Sequence, residues 1–352
     1  MTCSVLSGQP AAQGWIAHAA KMRSTTPLLL LSALPSAFSW GRLGHDAVAF
    51  IAQNYVSSRT ERWAQTLLRD TSDQYLANVS TWADSYRNEP GGEFSAPFHY
   101  ISADDTPPTS CNVDFQRDCG PDGCVVSAIA NYTRRVRDRR LDAQQRDFAL
   151  RFLVHFLGDI HQPLHNEAYE AGANGVIITF NNATRNLHAT WDTQIPERLR
   201  GSYSRPAARL WADYLIARID KGVYTRDVRS WKRGLNVNDG VGSALRWSNE
   251  ANEYVCGYVA PKGWDALTGD LATNGYYDRA VPTVELQVAR AGVRLAAWLD
   301  ALSREGKRGY EEEVEEVDLS GRDLLPESRE YTPAQLRRRD EGYGCGCGEH
   351  EH

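Results

Sequence analysis

Histidine and aspartate recur at a fixed spacing in the middle of this chain. His155 and Asp159 are four residues apart, as are His188 and Asp192, and His165 follows just past Pro163. Upstream, His45, Asp84 and His99 add two imidazoles and one carboxylate. Residues four apart share one face of a helix, so each pair can present a ring nitrogen and a carboxylate oxygen together. Such nitrogen and oxygen sets suit zinc, and a site with carboxylates and few thiolates is more typical of catalysis than of structure. A hydrogen-bonded His–Asp pair or a core histidine has the same spacing. The pattern alone therefore leaves both a polynuclear metal centre and ordinary structural pairs open.

The elements that must position these residues are mostly helical. Apolar residues at helical spacing predict helices over Asp46–Ser57, Asp142–Ile160, Pro206–Lys221 and Val284–Ser303, the second stopped near Pro163. Val176–Phe180 is the best strand candidate, too little for a large sheet, and Pro107-Pro108 with several cysteines marks a long loop from about 101 to 124. Residues 40–306 show no repeat and no Gly/Ser linker, so the expected architecture is one all-α domain.

The ends differ from this body. Residues 1–39 read as a leader: Lys21 and Arg23 precede an apolar run, Leu28 to Leu34, and the small-residue region Pro35–Ser39, which sets the mature start at Trp40. Met22 is an alternative start. The competing reading of the run is a short core helix; it is far shorter than the ~20 residues that span a bilayer. Residues 307–352 carry thirteen acidic and seven basic side chains, enough to account for the net charge of −6. Glu311–Glu316, the Arg337-Arg338-Arg339 run and a Gly-Cys-Gly-Cys-Gly stretch predict a disordered or removed tail, although Cys345, Cys347, His350 and His352 could also bind metal weakly. The body is near neutral, so charge does not exclude a phosphate-bearing substrate if metal ions supply the positive field.

Cys111, Cys119, Cys124 and Cys256 are the four body cysteines, an even number that suits an exported domain with two disulfides. The tight Cys119-Gly-Pro-Asp-Gly-Cys124 turn suits a local bridge and leaves Cys111 to pair with Cys256. Sequons at Asn78, Asn131 and Asn182 agree with a secretory route, and no later stretch predicts a membrane span.

Taken together, Trp40-Gly-Arg-Leu-Gly-His45, Trp82-Ala-Asp84-Ser-Tyr-Arg87, the Cys111–Cys119 loop, Phe152-Leu-Val-His155-Phe-Leu-Gly-Asp159, Gln162-Pro-Leu-His165 and Asn186-Leu-His188-Ala-Thr-Trp-Asp192 resemble the zinc-dependent single-strand nuclease and 3′-nucleotidase family of fungi and plants, the S1/P1 type. The resemblance covers residues 40–304. It implies a single, mostly helical domain with disulfide-stapled loops, a fold shared with zinc phospholipase C, and a secreted, monomeric enzyme. It implies three zinc ions: one held by Asp84, His99, His155 and Asp159, a second sharing Asp159 and taking His45 with the amine and carbonyl oxygen of Trp40, and a third on His165, His188 and Asp192. His161 has no family ligand role.

For the substrate, the resemblance implies single-stranded DNA, RNA and 3′-nucleotides cut to 5′-phosphate products. Arg87 matches a phosphate-holding position, with a plain surface ion pair as its alternative, and Asn186 adds a hydrogen bond. Tyr100 takes the aromatic stacking position and Asn174 a base-edge position. Two departures stand out. Ser102 replaces a frequent aspartate, which leaves purine preference open, and Ala183 replaces a second aromatic. The alternatives to this activity are a zinc phospholipase C and a non-enzymatic zinc-binding protein; the cysteine loop and Tyr100 favour the nuclease.

Overall fold

The computed structural model describes residues 40–305, 324–325 and 330–340. The leader, the Glu311–Glu316 run, Cys345, Cys347, His350 and His352 lie outside the described residues.

The helix Ala143–Asp159 runs through the middle of the core. Asp142 caps it by accepting from the backbone N–H of Gln145, and from Ala149 onward nearly every side chain is buried. A helix apolar on all sides belongs in an interior. Val125–Arg137 packs along it and also contacts Gly240–Tyr254. Phe152 stacks on Tyr132 with ring centroids 4.3 Å apart, and Phe156 follows one turn later. The aromatic side of this helix thus fixes the rotation that turns His155 and Asp159 to the site.

A second central helix, Gly41–Tyr55, packs against Tyr276–Glu305 and Arg205–Asp220. Gly292 permits the first of these contacts, since a Cβ there would meet the Ile51 side chain at 2.4 Å. Both long helices begin earlier than the sequence predicts. Gly41–Tyr55 starts five residues before Asp46, because its N-cap is Trp40 in a left-handed conformation with no side-chain cap, so no start signal is written there. Tyr276–Glu305 starts eight residues before Val284, and Pro282 inside it hides the first turns. The helices at Ala143–Asp159 and Arg205–Asp220 match their expected positions.

The strand candidate is half of an antiparallel hairpin, Ile177–Phe180 paired with Ala183–Asn186. The loop before residue 125 is stapled by Cys119–Cys124, and Cys111–Cys256 ties it to the end of the Gly240–Tyr254 helix region across 145 residues of sequence. Both pairings agree with the sequence reading. Among the described residues, no helix is long and apolar enough to cross a membrane.

One part of the tail, residues 330–340, is ordered where disorder or removal was expected. Within 307–352, Pro333–Asp340 is a helix that packs on the Glu170–Ala173 turn. Its start is a reciprocal cap: Gln335 N donates to Thr332 Oγ1 at 3.3 Å and Thr332 N donates to Gln335 Oε1 at 2.9 Å, with Pro333 in the first helical position. This Thr-Pro-Ala-Gln signal is legible in the sequence but is masked by the charge run that follows it. Of the three sequons, Asn78 and Asn182 are exposed whereas Asn131 is buried within Val125–Arg137, which argues against a glycan at Asn131.

Candidate metal centre

Three groups of buried side chains bring ligand atoms within 4.8 Å of one another: His45, His155 and Asp159; Asp84, His99 and His155; and His165, His188 and Asp192. All eight side chains are essentially inaccessible to solvent. The first two groups share His155, and Asp159 also touches both. Its Oδ1 lies 3.2 Å from His45 Nε2, and its Oδ2 lies 3.0 Å from His99 Nδ1 and 3.3 Å from His155 Nε2.

Backbone carbonyls aim the rings. His155 Nδ1 donates to Ser80 O, His165 Nδ1 to His99 O and His188 Nδ1 to Gly172 O, each at 2.7 Å. A histidine whose Nδ1–H is spent this way turns a lone pair on Nε2 to the opposite side, the usual orientation of a metal ligand. The Nε2 atoms of His165 and His188 and Asp192 Oδ2 are buried and make no well-formed hydrogen bond among the described residues, although His188 Nε2 and Asp192 Oδ2 lie 3.2 Å apart. Orphaned acceptors are costly in a protein interior. Their convergence is what a site shaped for a cation requires, and the nitrogen–oxygen donor set fits zinc.

Local backbone features serve this geometry. Gly158 leaves room for His45, because a Cβ there would lie 2.8 Å from His45 Nδ1. His45 consequently stacks on His155 with centroids 4.0 Å apart. Glu170 to Ala173 all have positive φ, a strained left-handed turn for the three that are not glycine. That turn presents the Gly172 carbonyl to His188. Asp192 sits in a π turn, Thr190–Gln194, of the kind often found at functional sites.

Electrostatics follow burial and charge. Burial disfavours the His155 cation, but Asp159 and Asp84 outweigh it and raise its pKa to about 10. Burial likewise opposes the charged forms of Asp159 and Asp84, yet His155 holds both well below the usual carboxylate range. Burial together with Arg87 lowers His99 to about 3, and burial lowers His165 to about 4. Burial also pushes His188 far down and Asp192 well above its ordinary value. The shared site is thus a pair of carboxylates facing one imidazolium, whereas burial favours the neutral forms of the third group. Cations entering either group would displace protons.

The other predicted residues fall around this centre. Trp40 is fully buried, its indole N–H donating to Gly158 O at 3.0 Å, and its backbone N–H is directed at Asp192. Arg87 is no surface ion pair: it is buried and its Nη2 lies 3.4 Å from Asp84 Oδ1. Asn186 accepts from Ala189 N at 2.6 Å and so caps the turn that carries His188. Asn174 is buried and donates to Ala171 O, while Tyr100 is half-buried directly after His99. Ala183 opens the second hairpin strand. His161 stays apart, donating to Leu157 O and accepting from Arg294.

Sequence reasoning missed three partners. Gln162 Nε2 donates to Asp192 Oδ1 at 2.6 Å; it stands in the Gln162-Pro-Leu-His165 motif, where its polarity beside a proline was the available signal. Ser80 links Asp46 to the carbonyl that holds His155, its hydroxyl donating to Asp46 Oδ1 at 2.5 Å. Arg338, from the tail helix, has its guanidinium 3.6 Å from the Tyr100 ring centroid, and no local pattern predicts that contact.

The S1/P1 nuclease family model matches residues 40–304. Nuclease P1 from Penicillium citrinum and Nuclease PA3 from a Penicillium species are each 48% identical over 264 residues, covering 75% of this chain and 97% of theirs. Nuclease S1 from Aspergillus oryzae is 46% identical over 266 residues, 76% of this chain and 92% of its own length.

Proposed function

The chain belongs to the S1/P1 nuclease family, and on that premise we propose that it is a secreted, zinc-dependent endonuclease. In this reading it hydrolyses phosphodiester bonds of single-stranded DNA and RNA to 5′-phosphate products and also acts as a 3′-nucleotidase. The observation that carries the reading is the convergence of three buried His/Asp groups beside an aromatic ring, Tyr100. Two of the groups are joined through His155 and Asp159, as a paired site requires.

In this reading Asp84, His99, His155 and Asp159 hold one ion, Asp159, His45 and the amine and carbonyl oxygen of Trp40 a second, and His165, His188 and Asp192 a third. The three side-chain groups support it, and the part of Trp40 follows from the family resemblance. Zinc bound in these positions would lower the pKa of water and offset negative charge developing on a phosphodiester. The remaining tasks fall to the protein. Arg87, held beside Asp84, supplies a fixed cation for a phosphate oxygen. Tyr100 offers a face on which one unpaired base stacks, a contact of roughly 1–3 kcal/mol with little sequence preference. Bases paired within a duplex cannot reach that face without being extruded. Ser102 presents a hydroxyl instead of a carboxylate, so this site does not select a purine edge through charge.

Hydrolysis assays on a single-stranded oligonucleotide, its duplex and phosphatidylcholine vesicles test the reading. Rapid cleavage of the single strand alone is expected. Lipid hydrolysis without DNA hydrolysis would replace the proposal with a phospholipase C.

A further inference from the structure

The tail helix covers the aromatic face that the proposed function assigns to a base. Tyr331, Gln335 and Arg338 line one side of Pro333–Asp340 and its entry, at the spacing of successive helical turns. With Tyr100, Ser102 and Asp122 from the body they wall a cavity of about 200 Å³. Gln335 Nε2 donates to Asp118 O at 2.7 Å, Tyr331 bonds Asp122, and Arg337 pairs with Glu170 at 2.5 Å.

Arg338 is the centre of this contact and is buried. Its guanidinium carbon, 3.6 Å from the Tyr100 ring centroid, lies directly over the ring at the separation of stacked planes. A Cβ at Gly172, whose carbonyl holds His188, would lie 2.8 Å from Arg338 Nη2, and Nη1 reaches Ser102 Oγ at 3.3 Å and Glu167 O at 3.4 Å. A base stacked on that face would need the volume the guanidinium fills.

The contact is also built to be displaced. Both Nη1 hydrogen bonds are long, and Nε and Nη2 have no hydrogen-bond partner among the described residues. A buried cation so poorly satisfied is a weak occupant. The helix lies beyond the family match, which ends at residue 304, so this cover is an addition to the nuclease body.

We propose that residues 330–340 are an autoinhibitory strap in which Arg338 occupies the Tyr100 base-stacking site in place of substrate. The proposal rests on the reading of Tyr100 as a stacking platform. A tethered occupant competes at high effective concentration, and apparent substrate affinity falls by the fraction of molecules in which the strap is open.

The test is steady-state cleavage of a single-stranded oligonucleotide by the zinc-loaded chain of residues 40–352, which begins at Trp40 and keeps the strap, compared with the same chain carrying Arg338→Ala or Arg338→Lys. Lysine keeps the charge but loses the planar stack. Both variants should lower KM by at least about fivefold with kcat unchanged. A synthetic peptide of residues 330–340 added to Arg338→Ala should raise KM again, and a scrambled peptide should not. An unchanged or increased KM in Arg338→Ala overturns the strap; an increase would make Arg338 a substrate-binding residue. The double variant Tyr100→Ala/Arg338→Ala separates the two readings. If its KM matches that of Arg338→Ala, the stacking assignment has failed and the strap falls with it. If its KM is higher while Arg338→Ala equals the parent, only the strap has failed.

Discussion

Asp159 reaches His45 Nε2 at 3.2 Å with Oδ1, which leaves Oδ2 facing His99 and His155. One carboxylate therefore spans two ligand groups. Substituting it should disturb two ions at once, whereas His165, His188 and Asp192 form a separate set.

Asp159→Asn is accordingly expected to reduce bound zinc from three ions per chain to about one and to lower kcat by at least about a hundredfold. Elemental analysis of the purified variant checks the first part and oligonucleotide cleavage the second. Retention of all three ions would contradict the bridging role.

A chain that keeps one residue before Trp40 should fold but lose most of its activity. The buried indole, anchored on Gly158, holds Trp40 through its side chain rather than through its amino group. Cleavage before Trp40 would convert its amide nitrogen, which has no lone pair to give, into an amine that has one. Comparing chains beginning at Ser39 and Trp40 should show equal near-UV dichroism and at least tenfold lower activity for the longer one, about the loss caused by weakening one ligand. Equal activities would remove Trp40 from the ligand set.

Metal uptake should release protons. Without metal, His155 has its pKa raised to about 10 and keeps its proton at pH 7, and burial raises Asp192 well above its normal value, which favours its protonated form. Both must lose these protons to serve as ligands. The sign is fixed: lowering pH favours the protonated, metal-free form, and raising it towards 10 favours the metal-bound form. Titrating zinc into chelator-treated protein at pH 7 in weak buffer should release at least about one proton per chain, that of His155, with any further release coming from Asp192. No acidification would show that these groups do not bind metal.

In the Arg338→Ala background, where nothing covers the ring, Tyr100→Ala should raise KM for a single-stranded oligonucleotide by about 5- to 150-fold, the equivalent of roughly 1–3 kcal/mol of lost stacking. Tyr100→Phe keeps the ring and should remain close to the parent. A loss confined to kcat would assign Tyr100 to the support of its neighbour His99 rather than to a base.

The parts of this molecule legible in the sequence are those written by local spacing. The His155–Asp159 and His188–Asp192 pairs, the Asp142-capped helix and the Cys119–Cys124 turn each carry their signal within a few residues. Contacts made by backbone atoms carry none. Ser80 O, His99 O and Gly172 O aim three ligand rings, and no side-chain pattern encodes a carbonyl. The early start of Gly41–Tyr55 was hidden because Trp40 caps it without a polar side chain. The tail helix was hidden differently: its cap is present at Thr332 and Gln335, but strongly charged flanks outweighed it, and its partner Tyr100 lies more than two hundred residues away.

The most direct test of the account combines metal content with strand-selective cleavage for the chain that begins at Trp40. Three zinc ions per chain, cleavage of a single-stranded oligonucleotide to 5′-phosphate ends, loss of that activity on chelation and recovery with zinc are the predicted results. Cleavage that survives complete metal removal, or none with three zinc ions bound, would contradict it.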